Sequence, residues 1–171
     1  GALLKEEGIN ILNYKEQLAK NSISFDISKL KNFRQQTNMI NPIIVDCTSS
    51  QKVAETYLEF FQAGYHIVAA NKKANTLDFN FYNQLKKTAI QTNRQFNYET
   101  NVGAGLPVID TFRNLLRAGD DLVKFEGILS GSMSYIFGKL DDGLPLSQAV
   151  TKAKTKGFTE PDPRDDLSGM D

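Results

Sequence analysis

The sequence predicts an α/β protein: a parallel sheet with helices on its faces, followed by a more irregular α+β part. Two observations carry this. Ile43-Ile44-Val45 and the stretch 65–69 are short apolar runs without alternation, the mark of strands buried on both faces. Segments of helical spacing lie between them, so strand, helix, strand, helix, strand follow one another with short connections. A third observation is size. At 171 residues the chain suits one domain or parts of two small ones.

Each element has its own signal. Residues 1–21 read as an irregular opening, with some helical spacing from Leu12 to Leu18. Asp26 or Ser28 can cap a helix over 29–36, with Ile27, Leu30 and Phe33 on one face. Asn41-Pro42 punctuates, and the first strand leaves through the polar Asp46-Cys47-Thr48-Ser49-Ser50. Residues 52–63 read as a helix with Val53, Tyr57, Phe60 and Phe61 inward, closed by Gly64. The strand at 65–69 leaves through Asn71-Lys72-Lys73. A helix over 78–92 and a strand over 95–98 complete the repeat. In such sheets ligands sit at the carboxyl ends of strands, so 48–50 and 71–73 are the first places to look for a site. The pattern then loosens. Small residues fill 99–106, and Pro107 opens a helix that Gly119 closes. Residues 121–129 alternate enough for a strand with one wetter face. Helices over 134–140 and 147–156 lead to an acidic tail. The change of pattern places a boundary near residue 98.

Composition narrows the function. Lys plus Arg total 20 and Asp plus Glu total 20, so the net charge is zero and a nucleic-acid partner is not expected. Residues 1–98 hold 12 basic and 8 acidic side chains, and 99–171 hold 8 and 12. That asymmetry suits an anionic cofactor on one half and a cationic substrate group on the other, or it is chance. A structural zinc site takes about four Cys or His ligands, and Cys47 and His66 stand alone in their types. No apolar run approaches the roughly 20 residues that span a bilayer, and the opening lacks a signal-peptide layout. A soluble cytoplasmic protein is expected.

Four segments can carry chemistry. Gly103-Ala104-Gly105 matches a dinucleotide fingerprint only in part, because Val108 stands where a third glycine belongs. A tight turn into a helix is the favoured explanation over phosphate binding, and glycine carbonyls beside a carboxylate also suit a cation. Lys72 and Lys73 follow a buried strand, where a lysine can reach an anion or a substrate carboxylate; solvated lysines are the plain alternative. Ser130-Gly131-Ser132 suits a polar ligand or a helix cap. The tail is the most informative: Glu160, Asp162, Asp165, Asp166 and Asp171 crowd together with Pro161 and Pro163, a stiff acidic loop able to grip an ammonium group or a metal. Ser168 and Asp171 also have the spacing of a capping box. Cys47 reads as a small buried hydrophobe and His66 as a satisfied core or near-surface histidine.

Taken together, Asn101-Val-Gly-Ala-Gly-Leu-Pro107, Gly127-Ile-Leu-Ser-Gly-Ser-Met-Ser-Tyr-Ile-Phe137 and Phe158-Thr-Glu-Pro-Asp-Pro-Arg-Asp-Asp-Leu-Ser-Gly-Met-Asp171 strongly resemble homoserine dehydrogenase. Val45-Asp-Cys-Thr-Ser-Ser50 and Asn71-Lys-Lys-Ala-Asn-Thr76 fit too. The wording is closest to the dehydrogenase half of bifunctional aspartokinase/homoserine dehydrogenases. The resemblance implies an incomplete Rossmann-like parallel sheet with helices over 1–98, its first βαβ unit missing, and part of an α+β substrate and dimerisation domain over 99–171. It implies NADP or NAD as cofactor and interconversion of L-aspartate 4-semialdehyde and L-homoserine, on the route to threonine and methionine. Thr48 and Lys72 resemble cofactor-side positions, and Lys72 and Asp171 catalytic ones. Gly131, Ser132, Glu160 and Asp166 resemble substrate contacts. Glu99, Val102, Ala104 and Leu106 resemble a site for a monovalent cation such as sodium, three of them through backbone oxygen. Phe158 stands where the family commonly has tyrosine. The partners implied are a small amino-acid substrate and other copies of the enzyme, with an aspartokinase domain in the same protein.

The same resemblance places the family's glycine-rich fingerprint before residue 1 and a second essential lysine one helical turn beyond Asp171. It therefore implies an internal fragment, inactive or nearly so by itself. A binding or dimerisation piece without chemistry is the alternative from another class. Another NAD(P)-linked reductase of amino-acid aldehydes is the nearer one. The reading expects the acidic tail and the lysine pair to face the same small amino acid.

Overall fold

Side chains at alternate positions of three short parallel strands build the core of the first of two units. The computed structural model describes residues 1–169, and the chain divides into Gly1–Asn97 and Tyr98–Asp171. The first unit opens with helices α1 (Tyr14–Asn21) and α2 (Ile27–Thr37) and strand β1 (Ile43–Asp46). Asp26 is the cap chosen for α2, accepting from the Ser28 amide at 2.9 Å. Helices α3 (Gln51–Glu55) and α4 (Tyr57–Gln62) then lead to β2 (His66–Ala69). Helices α5 (Lys73–Thr76) and α6 (Phe79–Gln91) lead on to β3 (Phe96–Asn97). The sheet has the order β1-β2-β3, with both pairs parallel.

The single helix expected over 52–63 is two. They break at Thr56, whose hydroxyl donates to the Val53 carbonyl at 2.6 Å, a local bond that competes with helical continuation. Helix α5 was not expected: one turn is too short to show periodicity.

The register puts Ile44 beside Ile67 and Asp46 beside Ala69, with Ile67 beside Phe96. On this face Ile67, Ala69 and Phe96 meet Tyr57, Phe60, Phe61 and Leu85 from the helices, all buried. Phe96 makes edge-to-face contacts with Tyr57 and Phe61, at ring separations of 5.8 and 5.9 Å. The opposite face carries Ile43, Val45 and Val68, which are 59%, 66% and 39% exposed. The expectation that β1 and the stretch 65–69 are buried on both faces is therefore corrected. The β-branched run marks the strand, but here helices cover one face of it.

The second unit is helical among the described residues. It opens with a 3-10 turn at Glu99–Asn101, then α7 (Val108–Arg117), α8 (Gly131–Asp141), α9 (Leu146–Thr155) and α10 (Pro163–Leu167). Ile136, Ala149 and Ala153 form its buried centre, flanked by Tyr135, Leu140 and Val150. The strand expected over 121–129 is absent; those residues have no regular structure and lie exposed. Alternation needs a neighbouring strand edge to become a strand, and no strand pairs with them among the described residues. The stiff tail loop contains a helical turn: Asp162 caps α10 through the Arg164 amide at 3.0 Å, and Pro163 takes its first position.

Candidate functional site

At the carboxyl ends of β1 and β2 the chain collects a buried polar network. Asp46, the last residue of β1, is 3% exposed. Its carboxylate accepts from the Tyr57 hydroxyl, from Asn71 Nδ2 at 2.9 Å and from the Thr48 amide at 2.8 Å. Burial raises the Asp46 carboxyl, but donation from Tyr57, Asn71 and Thr48 outweighs it and holds the group below the ordinary carboxylate value. Burial first, and then the neighbouring Asp46, push the Tyr57 phenol well up. Ser50 caps α3 through the Val53 amide at 3.4 Å. Lys72 occupies the capping position of α5 and is half-buried. Thr48 and Cys47 are exposed. Cys47 is therefore not the buried hydrophobe expected; it lies beyond the last strand residue, where the chain turns out of the core. His66 is satisfied as expected, with Nδ1 accepting from the Gln95 amide at 3.1 Å and Nε2 3.2 Å from Arg94.

This end of the sheet presents the exposed Thr48, whose Oγ1 accepts from the Ser50 amide at 3.2 Å, and the half-buried Lys72, while the Asp46 carboxylate is turned inward onto three donors. That pattern fits an anionic, amide-bearing cofactor such as NAD(P), because the buried Asp46 carboxylate has its hydrogen bonds met by protein donors and Lys72 supplies a positive charge.

The loop after Glu99 has a different character. The Glu99 carboxylate accepts from the Ile109 and Asp110 amides, each at 2.9 Å, and so caps α7 from a distance. Gly103 has φ +74, and a Cβ there would lie 2.8 Å from Val108 Cγ2, so the turn requires glycine. Ala104 follows with φ +52. The Gly103 and Leu106 carbonyls accept from Leu106 and Val108 at 3.0 and 2.9 Å. Val102 is half-buried, whereas Ala104 and Leu106 are exposed. Among the described residues no cluster of three His, Cys, Asp or Glu side chains is placed to hold a metal. The donors at this loop are one carboxylate and backbone oxygens.

In the same unit Ser132, Glu160 and Asp166 are brought together. Ser130 caps α8 through the Met133 amide at 3.2 Å and lies 2.9 Å, oxygen to oxygen, from the Ser132 hydroxyl. Ser132 donates to Asp166 Oδ1 at 2.6 Å, and the Glu160 amide donates to Asp166 Oδ2 at 2.9 Å. Asp166 is 5% exposed. Gly131 is the first residue of α8 and is exposed; Glu160 is half-buried. Asp162 is held at about 2 by its bonds from Arg164. Phe158 packs edge-to-face on Tyr135 at 4.9 Å. Asp171 lies outside the described residues.

Sequence reading missed the structural weight of Asp46, Asn71 and Tyr57. The available signal was a carboxylate ending an apolar strand and an asparagine following the next one.

Comparison with known proteins finds a family model over most of each unit. The family model described as homoserine dehydrogenase, NAD binding domain, matches residues 5–99, and the one described as homoserine dehydrogenase matches 107–171. The chain is 52% identical over 169 residues to a bifunctional aspartokinase/homoserine dehydrogenase of Haemophilus influenzae, covering 99% of this chain and 21% of that protein. It thus spans about a fifth of such relatives. A Candida auris protein of unknown function has a solved structure with TM-score 0.83 and 36% identity, over 99% of this chain and 48% of that one. A hyperthermophilic archaeal homoserine dehydrogenase solved in complex with NADPH gives TM-score 0.74 and 25% identity, over 95% and 51%. With the NAD-binding model covering the unit that holds the sheet and the second model covering most of the helical unit, this chain belongs to the homoserine dehydrogenase family.

Proposed function

We propose that the enzyme built on this chain interconverts L-aspartate 4-semialdehyde and L-homoserine. Residues 1–98 form part of an NAD(P)-binding Rossmann domain, and residues 99–171 part of the catalytic domain. The observation that supports this best is the pair of family matches running consecutively along the chain. NAD(P)H, when bound, supplies the hydride. Thr48 and Lys72 lie on the cofactor side. Lys72 donates a proton or hydrogen bond to the aldehyde oxygen as negative charge develops there. Glu160 grips the substrate ammonium, with Gly131 and Ser132 lining the place. Asp166 stands behind them, fixing the Ser132 hydroxyl and the Glu160 backbone through its two oxygens. Asp171 supplies a further carboxylate.

Glu99, Val102, Ala104 and Leu106 hold a monovalent cation such as sodium. A carboxylate has about four lone-pair sites, so Glu99 can cap α7 and still face an ion. The enzyme works in the cytoplasm as a homo-oligomer that carries an aspartokinase domain. No helix among the described residues is long and apolar enough to cross a membrane.

The test is NADPH oxidation with L-aspartate 4-semialdehyde, beside the same aldehyde lacking its amino group, in the full coding context of the chain. Turnover is expected with the amino aldehyde alone, and Glu160→Ala should raise its KM by about 10–100-fold, the loss of a charge-assisted contact. Equal use of both aldehydes would overturn the reading.

A further inference from the structure

Asn71 fastens the exit of β1 to the exit of β2. It is 2% exposed. Its Nδ2 donates to Asp46 Oδ2 at 2.9 Å and to the Ser50 carbonyl at 3.0 Å, with Thr48 Oγ1 at 3.4 Å. Its Oδ1 accepts from the Lys73 amide at 3.0 Å and so starts α5. The Ala70 and Asn71 amides also reach the Asp46 carbonyl, at 2.8 and 3.4 Å. One primary amide therefore serves the loop that carries Thr48 with its donors, and the turn that carries Lys72 with its acceptor. Among side chains, an amide combines two N–H donors with an acceptor. A carboxylate of the same shape lacks the donors, and leucine lacks both.

We propose that Asn71 is a positioning residue: acting with Asp46, it sets Thr48 and Lys72 in a fixed relation for work at the strand ends. This rests on the roles given above to Thr48 and Lys72. Neither Asn71 nor Asp46 needs to touch a ligand. Their bonds replace the freedom that two short polar loops would otherwise have, and a misplacement of about 1 Å is enough to lower turnover by orders of magnitude.

The experiment compares Asn71→Ala, Asn71→Asp and Asp78→Ala in the full coding context. Asp78 caps α6 through the Phe81 amide at 3.0 Å, so its loss weakens the same unit away from the strand ends. Exchange of the Thr48 and Lys73 amide hydrogens, the melting midpoint, and kcat and KM are measured. In Asn71→Ala both amides should exchange about tenfold faster or more, and kcat should fall about tenfold or more, a scale set by hydrogen bonds to a charged group. Asp78→Ala should lower the melting midpoint and leave kcat as in the wild type.

Asn71→Asp keeps the shape and donates only when protonated. Asp46 and the Tyr57 hydroxyl face that position, Cys47 lies next to Asp46, and Lys72 and Lys73 follow in sequence. Two carboxylates there share a proton, so this variant's kcat relative to the wild type should rise as pH is lowered. It also carries the question if Asn71→Ala fails to fold. Unchanged Thr48 exchange, or unchanged kcat in a folded Asn71 variant, overturns the proposal. A wild type that turns over no semialdehyde overturns the functional reading instead, and amide exchange still decides whether Asn71 couples the two exits.

Discussion

Among the described residues each unit buries one carboxylate, and the two are held differently. Asp46 in the first unit accepts from a phenol, a primary amide and a backbone amide, behind a layer of large aromatic side chains. Asp166 in the second accepts from a serine hydroxyl and a backbone amide, on a five-residue helix next to the 41% exposed Leu167. In both places the buried charge is held by protein donors, with one exposed and one half-buried residue nearby in the chain: Thr48 and Lys72 in one, Gly131 and Glu160 in the other.

The contrast is sharpest in the cores. Phe61 is fully buried and touches Phe96, so Phe61→Ala should cost about 3–5 kcal/mol in chemical denaturation, by lost burial plus a cavity. Ile136→Ala, in the smaller centre of the second unit, should cost about 2–4 kcal/mol. Equal losses, or a larger one at Ile136, would break the ranking of the two cores. Next comes Asp46→Asn, expected to destabilise by about 1–3 kcal/mol at neutral pH through loss of charge-assisted bonds. The Asp46 carboxyl lies below its unfolded value of 3.8. Its contribution is therefore fully present above that pH and disappears as pH falls through the lower folded value. Wild type and Asp46→Asn should converge in stability as the solution is acidified below pH 3.8; a constant gap would assign the loss to packing. The smallest effect belongs to Arg164→Ala. Asp162, held at about 2 by Arg164, should return towards the ordinary carboxylate value in an NMR titration, with the melting midpoint unmoved because the pair is exposed.

What was legible in the sequence followed from local rules. Ile43-Ile44-Val45, the Asp26 cap, Gly64 and the helical spacing over 78–92 each act within a few residues, and each element appears near its expected place. The strand exits pointed to the Asp46–Asn71 network of the first unit, and the tail motif to the Ser132–Asp166 pair of the second. The rest depends on distant partners. Asn71 meets Asp46 across 25 residues and Ser132 meets Asp166 across 34, separations at which spacing carries no information. The run at 121–129 failed for the same reason: alternation describes one strand, and a sheet needs a second. The double burial read into β1 failed because a β-branched run reports the strand and not what covers it.

Lys72 is the group to which the chemistry is assigned, so its removal is the decisive measurement. Homoserine-dependent reduction of NADP should be followed in the full coding context, for the wild type and for Lys72→Ala, with circular dichroism to verify folding. The wild type should turn over, and the folded variant should lose about 10²–10⁴ in kcat, the range of a positioned proton donor. A folded Lys72→Ala enzyme with undiminished turnover would remove the lysine, and with it the proposed mechanism, from this site.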